Sequence, residues 1–412
     1  KPRVRPEPRD PKPSPLAPRA AWAVVLAVLT LWCVTFAPEL SGRATFVRGD
    51  AGQFTAFSEF SRAEWRQSHR RVFWNPYVFL GLPTVASLAD ARPQWLPDPL
   101  LDAWDALTRT RGGAPLWPPL AACLVGALAA AWLARALWEC GPAAMFVAGA
   151  GWLLAPGLLV PFGFGHDAQT ITLALLPATL LGVERVLAAD GPRATRLAAL
   201  ALAGVVAWQV IAGHPQFVVY TGLALVPLAI VRAITLGRAR RLWLVAGALA
   251  FAATLSAVTW LPALLYLVHT QRTDAAFVAR EARIWSLLPR DLLSLAWPRG
   301  VGYADAAYSG GMRATDYSNV SGLAAVVMAL AGLSWRVNGQ RVARLLAALA
   351  GLAMLLSLGR NLPVLGAFFQ ALPGFGTFRT PMTWLVLANL SITLLAARGL
   401  EWSLGAAAPA RM

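Results

Sequence analysis

The sequence predicts an all-α, polytopic membrane protein of about ten transmembrane helices, with interfacial helices in a long first extracytoplasmic loop. Three observations predict it. Of the 412 residues, 57% are hydrophobic and 14% charged, where a soluble globular domain carries about 25% charged residues. Stretch after stretch reaches the roughly 20 mostly apolar residues that a helix needs to cross a hydrocarbon core of about 30 Å. Arginines recur in alternate short loops, the pattern left by the preference of positive charge for the cytoplasmic side. Such a composition excludes an ordinary soluble enzyme. The net charge of +16, from 36 basic and 20 acidic residues, on a chain with a mean hydropathy of +0.55, therefore reads as a topology signal and not as a nucleic-acid surface.

Taken in order, the chain begins with a basic, Pro-rich tail, residues 1–19, too poor in apolar side chains to fold and expected to be disordered in the cytoplasm. Residues 20–412 form a single membrane domain. Its spans are predicted near 20–37, 116–138, 142–163, 168–187, 197–213, 216–234, 242–268, 318–335, 342–358 and 381–402. The first is expected to remain as an anchor, because it lacks a small-residue cleavage site and runs into Pro38 and Glu39. With the tail inside, Arg185, Arg193 and Arg196 share one inner loop, Arg232, Arg238, Arg240 and Arg241 a second, and Arg336, Arg341 and Arg344 a third. The short outer turns 163–168 and 213–216 contain no Lys or Arg. Cys33, Cys123 and Cys140 lie in or beside apolar stretches without paired spacing, which supports neither a disulfide framework nor a zinc motif.

This topology puts His69, His166, His214 and His269 on the extracytoplasmic side, with Asp50, Asp167, Arg313 and Arg379. Two outer segments are long, 38–115 and 269–317, and the first must have structure of its own. In it, Phe54, Phe57, Phe60 and Trp65 recur at roughly helical spacing among charged residues, predicting an amphipathic helix in the interface plane. Asp98 as N-cap and Pro99 at the first helical position start a second helix, with Leu100, Leu101, Trp104 and Leu107 on one side. The segment WNPYVFLGLP, Trp74 to Pro83, joins the two.

Four short stretches hold the candidate chemistry. Asp50, in RGDAGQF, falls between the first span and the first interfacial helix, where a solvated N-cap, a partner for Arg48 and a reactive carboxylate are all open readings. The turn GHPQ fixes the imidazole of His214 and the amide of Gln216 at the membrane boundary. In GFGHDAQ, His166 stands beside Asp167 at the start of the fourth span, as a base with its carboxylate or as a capping Asp with an interfacial His. In PGFGTFRTPMTW, Thr380 and Pro381 mark a helix start with Arg379 just before it. A phosphate there would meet free N–H groups, the positive end of a dipole and a guanidinium; the alternative is an arginine reaching for lipid headgroups.

Together, RGDAGQF, WNPYVFLGLP, AGHPQFVVYTGL and FRTPMTWLVLANLSITLLAARGLE resemble the bacterial YfhO-type membrane proteins, counted among the GT-C-like integral membrane glycosyltransferases. The resemblance runs from about Thr45 to Trp402, and GHPQ and FRTP are its most specific parts. It implies a multi-pass protein of the bacterial cytoplasmic (inner) membrane, N-terminus inside, that takes a sugar from a polyprenyl-phosphate donor and transfers it to a glycan, lipid or protein acceptor on the extracytoplasmic face. It also implies that Asp50, matching the acidic residue of the first outer loop, is the catalytic base. Members of that family are commonly much longer, with further spans and an outer soluble domain, so a short relative or a piece of a longer chain is implied here.

Glycosyl transfer from a lipid phosphate needs a base for the acceptor hydroxyl and positive charge for the departing phosphate. Asp50 fits the first role. Arg379 and His214, assisted by His166, fit the second, with Asp167 and Gln216 in support. A divalent metal could supply part of the charge, but no carboxylate cluster of the DxD kind is present, and the metal stays unknown. The alternative function is a transporter or flippase for lipid-linked saccharide, which would need polar groups through the bilayer and not at one face only.

Overall fold

The computed structural model describes residues 16–41, 51–78, 80–88, 92–107, 117–281, 284–302, 309–310, 320–334, 339–363 and 378–407. Most of the predicted tail, together with Asp50, Asp90 and Arg313, lies outside the described residues. Eight helices are long and apolar enough to cross a membrane. They are α1 (Pro18–Thr35), α4 (Trp117–Trp138), α5 (Pro142–Phe164), α6 (Asp167–Ala188), α7 (Pro192–Ile211), α8 (Pro215–Thr235), α12 (Gln340–Ser357) and α13 (Pro381–Gly405). Five of them, α1, α5, α7, α8 and α13, begin on a proline, whose fixed φ suits the first helical position and whose missing N–H would have no partner there. The two helices expected in the long segment after the first span are α2 (Ala51–Ser68) and α3 (Asp98–Leu107).

Two of the ten predicted spans differ from a straight crossing. Residues 242–268 form a pair, α9 (Ala239–Leu255) and α10 (Ala257–His269), bent by 71°. The break falls at Ser256, whose hydroxyl donates back to Ala252 O at 2.8 Å, while the Trp260 indole donates to Ala253 O at 2.8 Å. The hydroxyl thus adds to the bond that the Ser256 N–H makes to the same carbonyl at 3.0 Å, and the indole takes up the next one along. The span predicted at 318–335 is represented by α11 (Leu323–Ser334), twelve residues and hence about 18 Å long.

What α11 lacks in length it makes up in closeness of packing. A Cβ on Gly332 would meet Leu395 O at 2.3 Å, and one on Gly399 would meet Met328 O at 1.9 Å, so only glycine permits this backbone approach. Ser321 bonds Asn389 at one end of the pair and Gly332 accepts from Arg398 at the other, so α11 and α13 run parallel. With α12 returning between them, α11 holds the place of a crossing in the order of the chain.

The helices alternate between two ends. At the first, here the arginine end, Arg232 forms a buried bidentate pair with Glu184 at 2.7 and 2.6 Å. Arg238 and Arg241 donate to the carbonyls at the close of α6, including Leu187 and Ala189. Arg398, fully buried on α13, donates to Gly332 O and Gln340 Oε1, and its guanidinium lies over the Trp138 ring. Glu401 accepts the Gly141 N–H at 2.6 Å. Toward the other end, in the last turn of α7, Gln209 accepts from Thr179 and donates to Thr172 O and Thr221 Oγ1, closing a network among α6, α7 and α8. The opposite, histidine end collects the starts of α6, α8 and α13.

The first outer loop has a small core of its own. Phe57, Trp65 and Leu101 are buried between α2 and α3, and Trp65 Nε1 donates to Asp102 at 2.8 Å. Arg92 grips Asp105 through Nε at 3.0 Å and Nη2 at 2.9 Å, with Arg62 3.4 Å from the same carboxylate. Between the helices, β1 (Trp74–Asn75) pairs antiparallel with β2 (Leu82–Pro83). On α3, Leu100 is 56% exposed while its neighbour Leu101 is fully buried, and α3 meets α2 through Asp102 and Asp105.

Candidate functional site at the histidine end

Three turns far apart in sequence come together here: Gly165 to Asp167 before α6, Gly213 to Gln216 before α8, and Phe378 to Thr383 at the start of α13. Gly213, at φ +86, makes the reversal that a side chain would strain, and Leu88 of the first outer loop lies over it, 3.7 Å from where a Cβ would stand. The loop therefore reaches the site.

Gln216 is the joint between α8 and α13. Its Nε2 donates to Arg379 O at 2.9 Å, Thr383 Oγ1 at 3.0 Å and the Tyr220 hydroxyl at 2.8 Å. Tyr220, one turn along α8, exchanges a hydrogen bond with Thr383 and stacks on Trp384 at 3.9 Å between ring centres. Sequence reading singled out Gln216 but missed Tyr220, Thr383 and Trp384. The spacing from Gln216 to Tyr220, four residues on one helix, is the signal that could have found the first of them.

His214 is the N-cap residue of α8, yet its side chain makes no capping bond. Its ring packs 4.5 Å from that of Phe217, and its buried Nδ1 has no hydrogen-bond partner. Burial above all, then His166, and the guanidiniums of Arg379 and Arg272, push its pKa down to about 4, against a smaller opposing effect of its backbone hydrogen bond. At neutral pH His214 is a neutral imidazole, able to accept or donate a proton but not to balance a phosphate charge. Arg272, absent from the sequence-based set, joins the electrostatic surroundings through the outer segment after α10.

His166 is the N-cap residue of α6, with its carbonyl accepting from Thr170 Oγ1 at 3.1 Å and its side chain making no cap bond. Asp167 follows in the first turn, where a carboxylate suits the helix dipole. Arg379 is exposed, and its carbonyl is held by Gln216.

The helix start beyond Arg379 differs from the expected anion cradle. Thr380 sits at φ +60, and residues Pro381–Trp384 wind as a 3₁₀ turn before the α-helix proper. Pro381 has no N–H, the Met382 N–H donates to Trp285 O at 3.2 Å, and the Thr383 N–H to Thr380 O at 3.0 Å. The first donors are spent on protein acceptors.

Under the three turns lies a small cleft lined by Gly157, Pro161, Gln169, Phe217, Thr383 and Asn389 among others, with about 20 Å³ open to a water-sized molecule. That is enough for a water and far too little for a sugar. Asn389 accepts from Ser321 at 2.8 Å, but its buried Nδ2 has no partner. Pro161, lacking an N–H, cannot serve the Gly157 carbonyl that faces the same region. Among the described residues, no group of three or more His, Cys, Asp or Glu side chains could hold a metal ion.

Comparison with protein-family models, curated proteins and solved structures finds no match to this chain.

Proposed function

We propose that the chain is a membrane-embedded glycosyltransferase that moves a sugar from a polyprenyl-phosphate-linked donor to an acceptor at the extracytoplasmic face, with the histidine end facing outward. The observation that carries the proposal is the convergence of His166, Asp167, His214, Gln216 and Arg379, from three separated turns, at one end of a membrane-spanning bundle. A lipid-linked donor needs that location. Its tail stays between helices while its phosphate waits at the boundary.

Arg379 supplies the charge for the phosphate, its planar fork matching two oxygens. His214, neutral and with one bare ring nitrogen, passes or receives a proton or donates a hydrogen bond to the leaving group. Asp50 is the general base for the acceptor hydroxyl, a role that rests on the sequence resemblance. Gln216, by fixing α8 to α13, sets the distance between His214 and Arg379. Against a transporter stands the distribution of charge: the described ionisable residues of the long spanning helices gather toward the two ends.

Purified protein in lipid nanodiscs should release or transfer sugar from a polyprenyl-phosphate donor, and Asp50→Asn should lower that turnover by roughly 10²-fold or more while donor binding persists. Near-normal turnover by Asp50→Asn would remove the assigned base, and loss through Asp167→Asn instead would reassign it.

A further inference from the structure

The hairpin of the first outer loop presents apolar side chains to its surroundings at a conformational cost. Leu80 is 103% exposed, the most exposed large apolar side chain among the described residues, and Tyr77 is 79% exposed. Phe73 and Trp74 are each 55% exposed. Leu80 holds φ +63, a backbone region unfavourable for a residue with a Cβ, and Gly81 follows at φ +124. The turn is built to hold that shape. Asn75 Oδ1 accepts the Tyr77 N–H at 2.9 Å, Val78 O accepts the Gly81 N–H at 2.8 Å, and the Trp74 ring occupies the space where a side chain on residue 81 would stand. The Tyr77 ring is braced edge-on against Phe60 of α2.

We infer that the β1–β2 turn is a lipid anchor, with Tyr77 and Leu80 seated at the boundary between headgroups and acyl chains. Three facts select lipid as the occupant. The loop leaves α1 through fifteen residues, 36–50, and returns to α4 through nine, 108–116, so its ends lie within about 50 and 30 Å of the bundle. Its Leu88 packs on the turn before α8, which places the loop against the membrane end of the bundle. The exposed set of Phe, Trp, Tyr and Leu, preceded by exposed His69 and Arg70, is the composition that membrane interfaces accept: rings at headgroup depth, an aliphatic tip below, cations toward phosphate.

The test uses the full chain, with Cys33 replaced, in phosphatidylcholine–phosphatidylglycerol nanodiscs. An environment-sensitive fluorophore on Tyr77→Cys should be quenched by lipids spin-labelled high on the acyl chain, and shielded from aqueous iodide, several-fold more than the same fluorophore on Ser68→Cys. Adding Leu80→Asp to the Tyr77→Cys protein should reverse both effects. Quenching by iodide alone would place the turn in water, and shielding from both quenchers would mean protein covers it; either result overturns the anchor, as would indifference to Leu80→Asp.

Discussion

The two ends of the helix bundle use polar side chains in opposite ways. At the arginine end charged side chains, buried and half-buried, are engaged by structure: Glu184 with Arg232, Arg398 with Gly332 O and Gln340, Arg238 and Arg241 with the last carbonyls of α6, Glu401 with the Gly141 N–H. At the histidine end, polar capacity is left over. His214 Nδ1 and Asn389 Nδ2 are buried without partners, and the Arg379 side chain is exposed. A buried polar atom left without a partner costs roughly 1–3 kcal/mol. The charges of one end hold the fold together, and the other end has two buried polar atoms, on His214 and Asn389, that a substrate or a water can use.

The largest effect expected from this contrast is at Glu184. Truncation to Ala leaves the buried Arg232 without its carboxylate, which should cost about 3–5 kcal/mol in reversible unfolding in detergent. Replacing both residues by apolar ones of similar size should recover most of that loss. A Glu184→Ala protein as stable as the parent would erase the distinction between the ends.

His214 sharpens the comparison through pH. Its folded pKa of about 4 lies below its ordinary value of 6.5, so the unfolded chain binds the proton first as pH falls. The stability contributed by neutral His214 is therefore complete above pH 6.5 and drains away between 6.5 and about 4, on the order of 2–3 kcal/mol in all. The His214→Gln protein should show a flatter pH profile over that window. Parallel profiles would mean that His214 titrates normally.

The smallest effect is a paired one. Gln340→Leu at the arginine end strips Arg398 of an acceptor and should cost about 1–3 kcal/mol. Asn389→Leu at the histidine end loses the Ser321 bond but also removes an unpartnered amide, so its change should stay under about 1 kcal/mol. Equal costs, measured side by side, would indicate that Asn389 is as fully engaged as Gln340, through a tightly held water in the cleft.

Much of this was legible in the sequence because hydrocarbon is a demanding solvent. Runs such as 117–138 and 215–235 can only be helices there, and prolines at 142, 192, 215 and 381 mark where they begin. What escaped was set by contacts between distant residues. The break at Ser256 depends on side-chain bonds to carbonyls within an unbroken apolar run, and the shortness of α11 goes with the pairing of Gly332 and Gly399, 67 positions apart. The same holds for the site. His214, Gln216 and Arg379 could be named from their turns, but Tyr220, Thr383 and Asn389 belong to it through packing. The charge state of His214 depends on burial and on Arg272, which no local pattern announces.

The central claim is that the histidine end, and not the arginine end, receives the donor phosphate. Its most direct test is the affinity of purified protein in nanodiscs for polyprenyl phosphate, compared among the parent chain, Arg379→Ala, Arg379→Lys and Arg238→Ala. The account predicts binding that weakens about tenfold or more in Arg379→Ala, recovers in part in Arg379→Lys, and is unchanged in Arg238→Ala. Unaltered affinity in both Arg379 variants together with loss in Arg238→Ala would contradict it and move the substrate to the opposite face.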